Sequence, residues 1–79
     1  MYLHVGEDVL VRTDEIITIL DKGTVKDSVI IQEFLQEKKK NTVNLSKGEF
    51  KSLVITDHQY YLSPLASNTL LKRLNLQNE

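Results

Sequence analysis

Two histidines, His4 and His58, are the side chains best suited to proton transfer or metal binding near neutral pH. Metal centres and active sites need several converging groups, and neither histidine has a second candidate ligand at a metal-binding spacing. We interpret His4 as part of an exposed edge strand and His58 as the tip of a hairpin. The sequence therefore predicts no catalytic residue and no metal site.

Nucleophilic catalysis is the second chemistry to consider, because Asp57, His58 and Ser63 are the residue types of a Ser-His-Asp catalytic triad. Adjacent residues of a strand point to opposite faces, however, and the sequence around Ser63 is not that of a nucleophile elbow. The three glycines lie too far apart for a phosphate loop or a dinucleotide fingerprint. We expect a protein that is not an enzyme and has no cofactor.

A group of lysines is the remaining candidate site. Its members are Lys38, Lys39, Lys40, Lys47 and Lys51. A run of lysines is usually a solvated helix end, and three of them are a weak electrostatic footprint for an anionic partner. Symmetric assembly makes anion contact more favourable than it is for one chain, since it repeats each lysine patch once per subunit and lets weak contacts act together.

Composition limits the class of protein. The chain has 79 residues, a formal net charge of −1 and no cysteine. A domain of this size buries only about 60% of its unfolded surface, so self-association is an expected source of stability. The absence of cysteine fits the reducing cytoplasm, the first residues lack a signal-peptide pattern, and the apolar runs are too short to span a membrane. The charge balance lacks the basic excess of most nucleic-acid binders.

Three strands are predicted in the first quarter of the chain. Residues 2–5 and 9–12 are rich in β-branched and aromatic side chains, and Gly6 between them permits the positive φ of a tight turn. We predict a hairpin there. A third β-branched run, residues 16–20, is of strand length and ends at a turn signal.

One amphipathic helix is predicted from Thr24 to the lysine run. Its apolar face consists of two i, i+4 pairs, Ile30 with Phe34 and Ile31 with Leu35. Thr24 with Asp27 three residues later resembles a capping box, and the lysines at the other end interact favourably with the helix dipole.

Three more strands and a helix are predicted in the second half. Residues 42–45 alternate weakly, and residues 51–56 are apolar on both faces at their centre, which predicts a central strand. Asp57 and His58 form a hairpin turn before residues 59–62, and Pro64 closes that last strand. A helix capped by Ser67 or Asn68 follows, with one apolar stripe listed as Leu70, Leu71 and Leu74.

The predicted order is therefore β-β-β-α-β-β-β-α, an α+β fold with a small, mostly antiparallel sheet. We expect residues 1–74 to form a single domain and residues 75–79 to be a frayed carboxy-terminal tail.

In this order the segments resemble the bacterial extracellular-matrix regulator family, the RemA and RemB group. The similar segments are residues 2–6, 11–19, 51–56, 60–65 and 67–74. The start Met-Tyr-Leu-His and the segment Tyr-Tyr-Leu-Ser-Pro-Leu at residues 60–65 are most like the RemB branch.

The resemblance implies a transcription regulator of biofilm-matrix genes with a fold similar to the LytTR DNA-binding domain. It also implies a ring-like homo-oligomer around which DNA wraps, in which the five lysines are candidate DNA phosphate contacts. The RemA branch has an arginine before its paired isoleucines and an arginine pair before the central strand. This chain has Glu15 and Gly48-Glu49 at those positions, and only Lys51 keeps a cation.

Two hypotheses follow. The first is a cytoplasmic, DNA-associated ring in which lysines position the DNA without reading its sequence. The second is a protein-interaction module that modulates a related regulator without contacting DNA, which the charge balance and the two glutamates favour.

Overall fold

The computed structural model describes residues 1–77, and within them the chain forms six strands and three α-helices. The strands are Tyr2–Gly6 (β1), Val9–Arg12 (β2), Ile16–Asp21 (β3), Thr42–Asn44 (β4), Ser52–Thr56 (β5) and Tyr60–Ser63 (β6). The helices are Lys22–Asp27 (α1), Val29–Glu37 (α2) and Ser67–Gln77 (α3). Short 3-10 helices span Thr13–Glu15 and Lys39–Asn41. The expected α+β class and the six strands are confirmed.

The strands form two sheets, whereas the sequence predicted one. β1 and β2 pair only with each other as an antiparallel hairpin, because the 3-10 helix after β2 redirects the chain before β3. The other strands form a sheet in the order β3-β5-β6-β4. Three of the four strand pairings are antiparallel, and β4 runs parallel to β6. The predicted central position of β5 is confirmed.

The four-stranded sheet has an apolar layer on each face. On one face the cross-strand row Ile19, Val54, Tyr61 and Val43 packs with the hairpin and α3. On the other face Leu53 is fully buried, and Phe34 of α2 meets Tyr60 of β6 edge to face with ring centroids 4.9 Å apart. The central strand is apolar on both faces because helices or the hairpin cover both of them.

The hairpin is held against the end of β6 by a buried serine. The Ser63 hydroxyl donates to the Val5 carbonyl (2.7 Å) and accepts from the Leu65 N–H (3.0 Å). Next to this link Gly6 has a φ of +132°, and a Cβ there would lie 2.8 Å from Pro64 Cδ. The hairpin sequence and the Ser-Pro segment therefore form one packed junction.

The predicted single helix after β3 is wrong, since two helices meet at Ser28. Ser28 has an extended backbone conformation and its hydroxyl accepts from the Ile31 N–H (3.3 Å), so it ends α1 and caps α2. The cap of α1 is Asp21 rather than Thr24. The Asp21 carboxylate accepts from both the backbone N–H and the hydroxyl of Thr24.

The apolar face of α2 is narrower than predicted. Ile31, Phe34 and Leu35 are half-buried against the sheet, but Ile30 is 79% exposed and Val29 is 71% exposed. The kink at Ser28 rotates the start of α2, which places these two side chains in solvent.

The last helix begins at Ser67 and continues past the predicted end at residue 74 to Gln77. The prediction of Ser67 or Asn68 as its cap is wrong, because both residues lie inside the helix and the Ala66 carbonyl accepts the first helical hydrogen bond, from the Leu70 N–H (3.1 Å). Its predicted stripe is buried at Leu70 and half-buried at Leu74, whereas Leu71 is exposed. Residues 75–77 of the predicted tail are thus helical, and residues 78 and 79 lie outside the described residues.

Candidate nucleic-acid interface

The first three candidate lysines lie at one end of the four-stranded sheet, called here the turn end because the β5–β6 turn, Asp57 and His58, is located there. Lys38 ends α2 by donating its backbone N–H to the Phe34 carbonyl (2.9 Å). Lys39 and Lys40 belong to the 3-10 helix that follows, and the side-chain amide of Asn41 donates to the His58 carbonyl (3.3 Å). All three lysines are exposed.

Lys47 and Lys51 lie at the opposite end of the sheet, the loop end, which is formed by residues 45–51 and the start of α1. β4 runs parallel to β6, so the loop that follows β4 emerges beside Ser63. Lys51 extends the ladder there, because its N–H donates to the Ser63 carbonyl (2.8 Å). Both lysine side chains are exposed.

The five candidate lysines, taken as one group in the sequence, therefore lie in two separate places, with Lys47 and Lys51 at the opposite end of the sheet from the run at residues 38–40. The distance from Lys51 to the β5–β6 turn is about 20 Å along β5. One small anion reaches one group of lysines only. An extended polyanion such as duplex DNA is long enough to contact both.

The loop end contains two further lysines that sequence reasoning missed, Lys22 and Lys26 of α1. The Glu49 carboxylate pairs with both of them: Oε2 lies 3.6 Å from Lys22 Nζ, and Oε1 contacts Lys26 Nζ. Glu49 lies in the loop before β5, and both partners are more than twenty residues earlier in the chain. No local pattern indicates such a contact.

These ion pairs change the ionisation of the glutamate. The hydrogen bond from Lys26, followed by the charges of Lys22 and Lys26, lowers the pKa of the Glu49 carboxyl below its usual value. The backbone adds a further link, since the Lys22 N–H donates to the Lys51 carbonyl (3.0 Å). We call the set Lys22, Lys26, Lys47, Lys51 and Glu49 the loop-end cluster.

The two histidines do not converge with other ligands in the part of the chain that the structure describes. His4 is exposed on β1 opposite Leu10, and His58 is exposed in the β5–β6 turn. Within residues 1–77 no three His, Cys, Asp or Glu side chains are close enough to hold a metal ion. No helix in these residues is both long and apolar enough to cross a bilayer.

Two comparisons with known proteins bear on these surfaces. The RemA-like family, described as Extracellular matrix regulatory protein A-like, matches residues 2–74. This chain belongs to the RemA-like family. It is 41% identical over 80 residues to Extracellular matrix regulatory protein B of Bacillus subtilis (strain 168), in an alignment that covers 100% of this chain and 96% of that protein. The expected membership and the likeness to the RemB branch are confirmed.

In this RemA-like chain the two places where the resemblance implies arginines lie at opposite ends of the sheet. Glu15 is half-buried at the turn end, where its carbonyl accepts from the Asp57 N–H (3.2 Å). Glu49 lies at the loop end, paired with two lysines. Each end thus combines lysines with a glutamate.

Proposed function

We propose that this chain regulates extracellular-matrix genes in the cytoplasm as a ring-like homo-oligomer that associates with DNA. The observation that carries the proposal is the 41% identity, over the whole chain, to a protein named as an extracellular matrix regulatory protein. The similarity to the LytTR DNA-binding domain, which the resemblance implies, is part of the same proposal.

Exposed apolar side chains support self-association. They occur on the outer face of the hairpin, on the edge strand β3 and at the start of α2, and they include Tyr2, Leu10, Ile17, Val29 and Ile30. Covering such side chains in an oligomer stabilises a small protein, because moving apolar surface out of water lowers the free energy. A ring supplies two covered faces per subunit.

Exposed lysines at both ends of the sheet support DNA association. Lysine is a point charge that contacts phosphate without reading bases, so a ring of these subunits would bind DNA with little sequence preference from the lysines themselves. The net charge of −1 does not prevent this, since the acidic and basic groups are unevenly distributed and each lysine group repeats around a ring.

The test removes the two lysine groups separately. We expect Lys39→Ala with Lys40→Ala to weaken binding of a promoter duplex, and to flatten the slope of log K against log salt by about 2 if both lysines contact phosphates. Lys47→Ala with Lys51→Ala should have an effect of the same kind. The loss should be alike for unrelated DNA sequences.

A matched control is Lys72→Ala, which removes one exposed lysine from α3. Its salt slope should stay close to that of the unmodified protein. The proposal is contradicted if both double variants bind the duplex at low salt as tightly as the unmodified protein.

A second candidate function is a protein-interaction module that modulates a related regulator without touching DNA. The observation that favours it is Glu49, which pairs with both Lys22 and Lys26 and offsets one of their two positive charges, at the position where the resemblance implies an arginine pair. Mixed rings or pairing of exposed sheet edges would suit such a role. Co-purification with a purified basic paralogue, with no shift of DNA by this protein alone, would favour this function over the first.

A further inference from the structure

The Glu49 carboxylate is bound in the way a phosphate group is bound by a pair of lysines. Each of its two oxygens faces a different ammonium group, Oε1 that of Lys26 and Oε2 that of Lys22. Both lysines project from α1, while Glu49 is carried by a separate segment, the loop before β5. The anion-binding position between the two ammonium groups is thus formed by α1 and is occupied by a side chain from the loop before β5.

The position between the Lys22 and Lys26 ammonium groups is open to solvent. The side chains of Lys22, Lys26 and Glu49 are 41%, 49% and 57% exposed. Ion pairs this exposed are weak and are screened by salt, so an incoming oxyanion can displace the carboxylate at a small cost in free energy. A phosphate group has the advantage, because it carries more acceptor oxygens than a carboxylate and is part of a larger polyanion in DNA.

The loop has room for Glu49 to leave. A Cβ on Gly48, the residue before Glu49, would meet no atom within 4 Å, so there is open space on that side of the loop. The Gly48 carbonyl accepts a hydrogen bond from the Ser46 hydroxyl (2.9 Å), which belongs to the same loop and can move with it. Lys51 stays in place when the loop moves, since its N–H and carbonyl both belong to the ladder. Asp21, the nearby acidic residue at the start of α1, accepts hydrogen bonds from Thr24, so its carboxylate already has a partner other than these lysines.

We propose that Lys22 and Lys26 form a phosphate-binding site that Glu49 occupies as a competing anion in the free subunit. The ligand is a phosphodiester group of DNA, and in this respect the inference rests on the proposed function. Binding then requires exchange of the carboxylate for a phosphate. Glu49 lowers the affinity for DNA through this exchange and not only through its contribution to the net charge.

The test is Glu49→Gln, which keeps the shape of the side chain and removes its charge. We expect it to bind a DNA duplex about tenfold more tightly at low salt, with a salt slope steeper by up to about 2, since two lysines become available to phosphates. Glu33→Gln is the matched control, because it removes the same charge from an exposed position on α2. It should change the affinity less than twofold.

Two further variants test whether the increase in DNA affinity comes from Lys22 and Lys26. Lys22→Ala or Lys26→Ala, each combined with Glu49→Gln, should return the affinity to that of the unmodified protein. Thermal unfolding of every variant checks that the fold is retained. If Glu49→Gln binds DNA no more tightly than Glu33→Gln while the unmodified protein does bind DNA, Glu49 only ties the loop to α1, and the inference is wrong although the proposed function stands.

A second probe, inorganic polyphosphate, separates the site from the function. Tighter binding of both DNA and polyphosphate by Glu49→Gln supports both claims. Tighter binding of polyphosphate alone supports the phosphate site and overturns DNA as its ligand. The proposed function is overturned with it only if the unmodified protein also fails to bind DNA. Absence of any binding of either probe, by the unmodified protein and by Glu49→Gln, overturns both.

Discussion

Gly6 is the residue where the amino-terminal hairpin comes closest to the end of β6. Its φ of +132° is a conformation that side chains rarely adopt, and a Cβ would lie 2.8 Å from Pro64 Cδ and 3.1 Å from Pro64 Cγ. Glu7 and Asp8, which follow it, also have positive φ values of 45° and 63°. The turn therefore combines local backbone strain with close packing against a rigid ring.

We expect Gly6→Ala to lower the free energy of unfolding by about 2 kcal/mol or more, because the new methyl group adds both backbone strain and a clash. Urea unfolding measures the loss. Gly48→Ala is the control, since a Cβ there meets nothing within 4 Å. We expect that variant to be neutral or up to about 1 kcal/mol more stable. Equal stability of the two variants would contradict the packing at Gly6.

At the scale of elements, α1 begins after an ionisable N-cap residue, Asp21. The side-chain hydrogen bond from Thr24, supported by the Thr24 backbone N–H, lowers the pKa of the Asp21 carboxyl below its ordinary value. A depressed folded-state pKa means that the ionised carboxylate stabilises the fold above the unfolded pKa of about 4, and that this contribution is lost as the pH falls through the folded pKa. Glu49 acts in the same direction.

Asp21→Asn separates capping from titration, because asparagine caps a helix about as well as aspartate but carries no charge. Near pH 7 the variant should unfold at a urea concentration close to that of the unmodified protein. Between about pH 5 and pH 2 its midpoint should fall less steeply. Urea midpoints across that range measure the difference, and identical pH profiles would show that the cap does not depend on charge.

Most elements could be predicted from local patterns. Alternation and β-branched runs identify strands, Pro64 ends β6 as expected, and the two-sided apolar centre of residues 51–56 indicates the central strand. The break at Ser28 has a readable signal too, a capping residue within a helical pattern. The capping box at Thr24 is a second signal of the same kind, but Thr24 lies inside α1, whose cap is Asp21.

Pairing between distant segments could not be predicted in the same way. The parallel alignment of β4 with β6 depends on how the chain passes over the sheet, and residues 42–44 carry no mark of their partner. The loop-end cluster follows from that alignment, because the loop after β4 emerges beside Ser63, and the contact of Glu49 with α1 depends on it. The lysines were recognised by type, but their grouping is a property of the topology.

The whole molecule is a four-stranded sheet covered on both faces, with apolar side chains left at its periphery. The hairpin and α3 cover one face. The other face is covered by α1 and α2, and Val29 and Ile30 at the start of α2 remain exposed. In a chain of 9.1 kDa, these exposed side chains are the surface that the proposed self-association would cover.

We expect light scattering to give a mass that is an integral multiple of 9.1 kDa, greater than one subunit and unchanged over a tenfold range of concentration. Leu10→Ser with Ile30→Ser, which removes two exposed apolar side chains, should lower the mass if these faces meet other subunits. A mass of a single subunit for the unmodified protein would contradict the ring.

The bond from Ser63 to Val5 also has a consequence for synthesis. It joins residues 58 positions apart, so β1 is synthesised well before the segment that packs against it. Until translation has passed Leu65, the inward side chains of β1 have neither β6 nor α3 to cover them. We therefore expect a chain interrupted before that point to be cleaved by proteases more readily than the complete domain, because this apolar edge stays exposed.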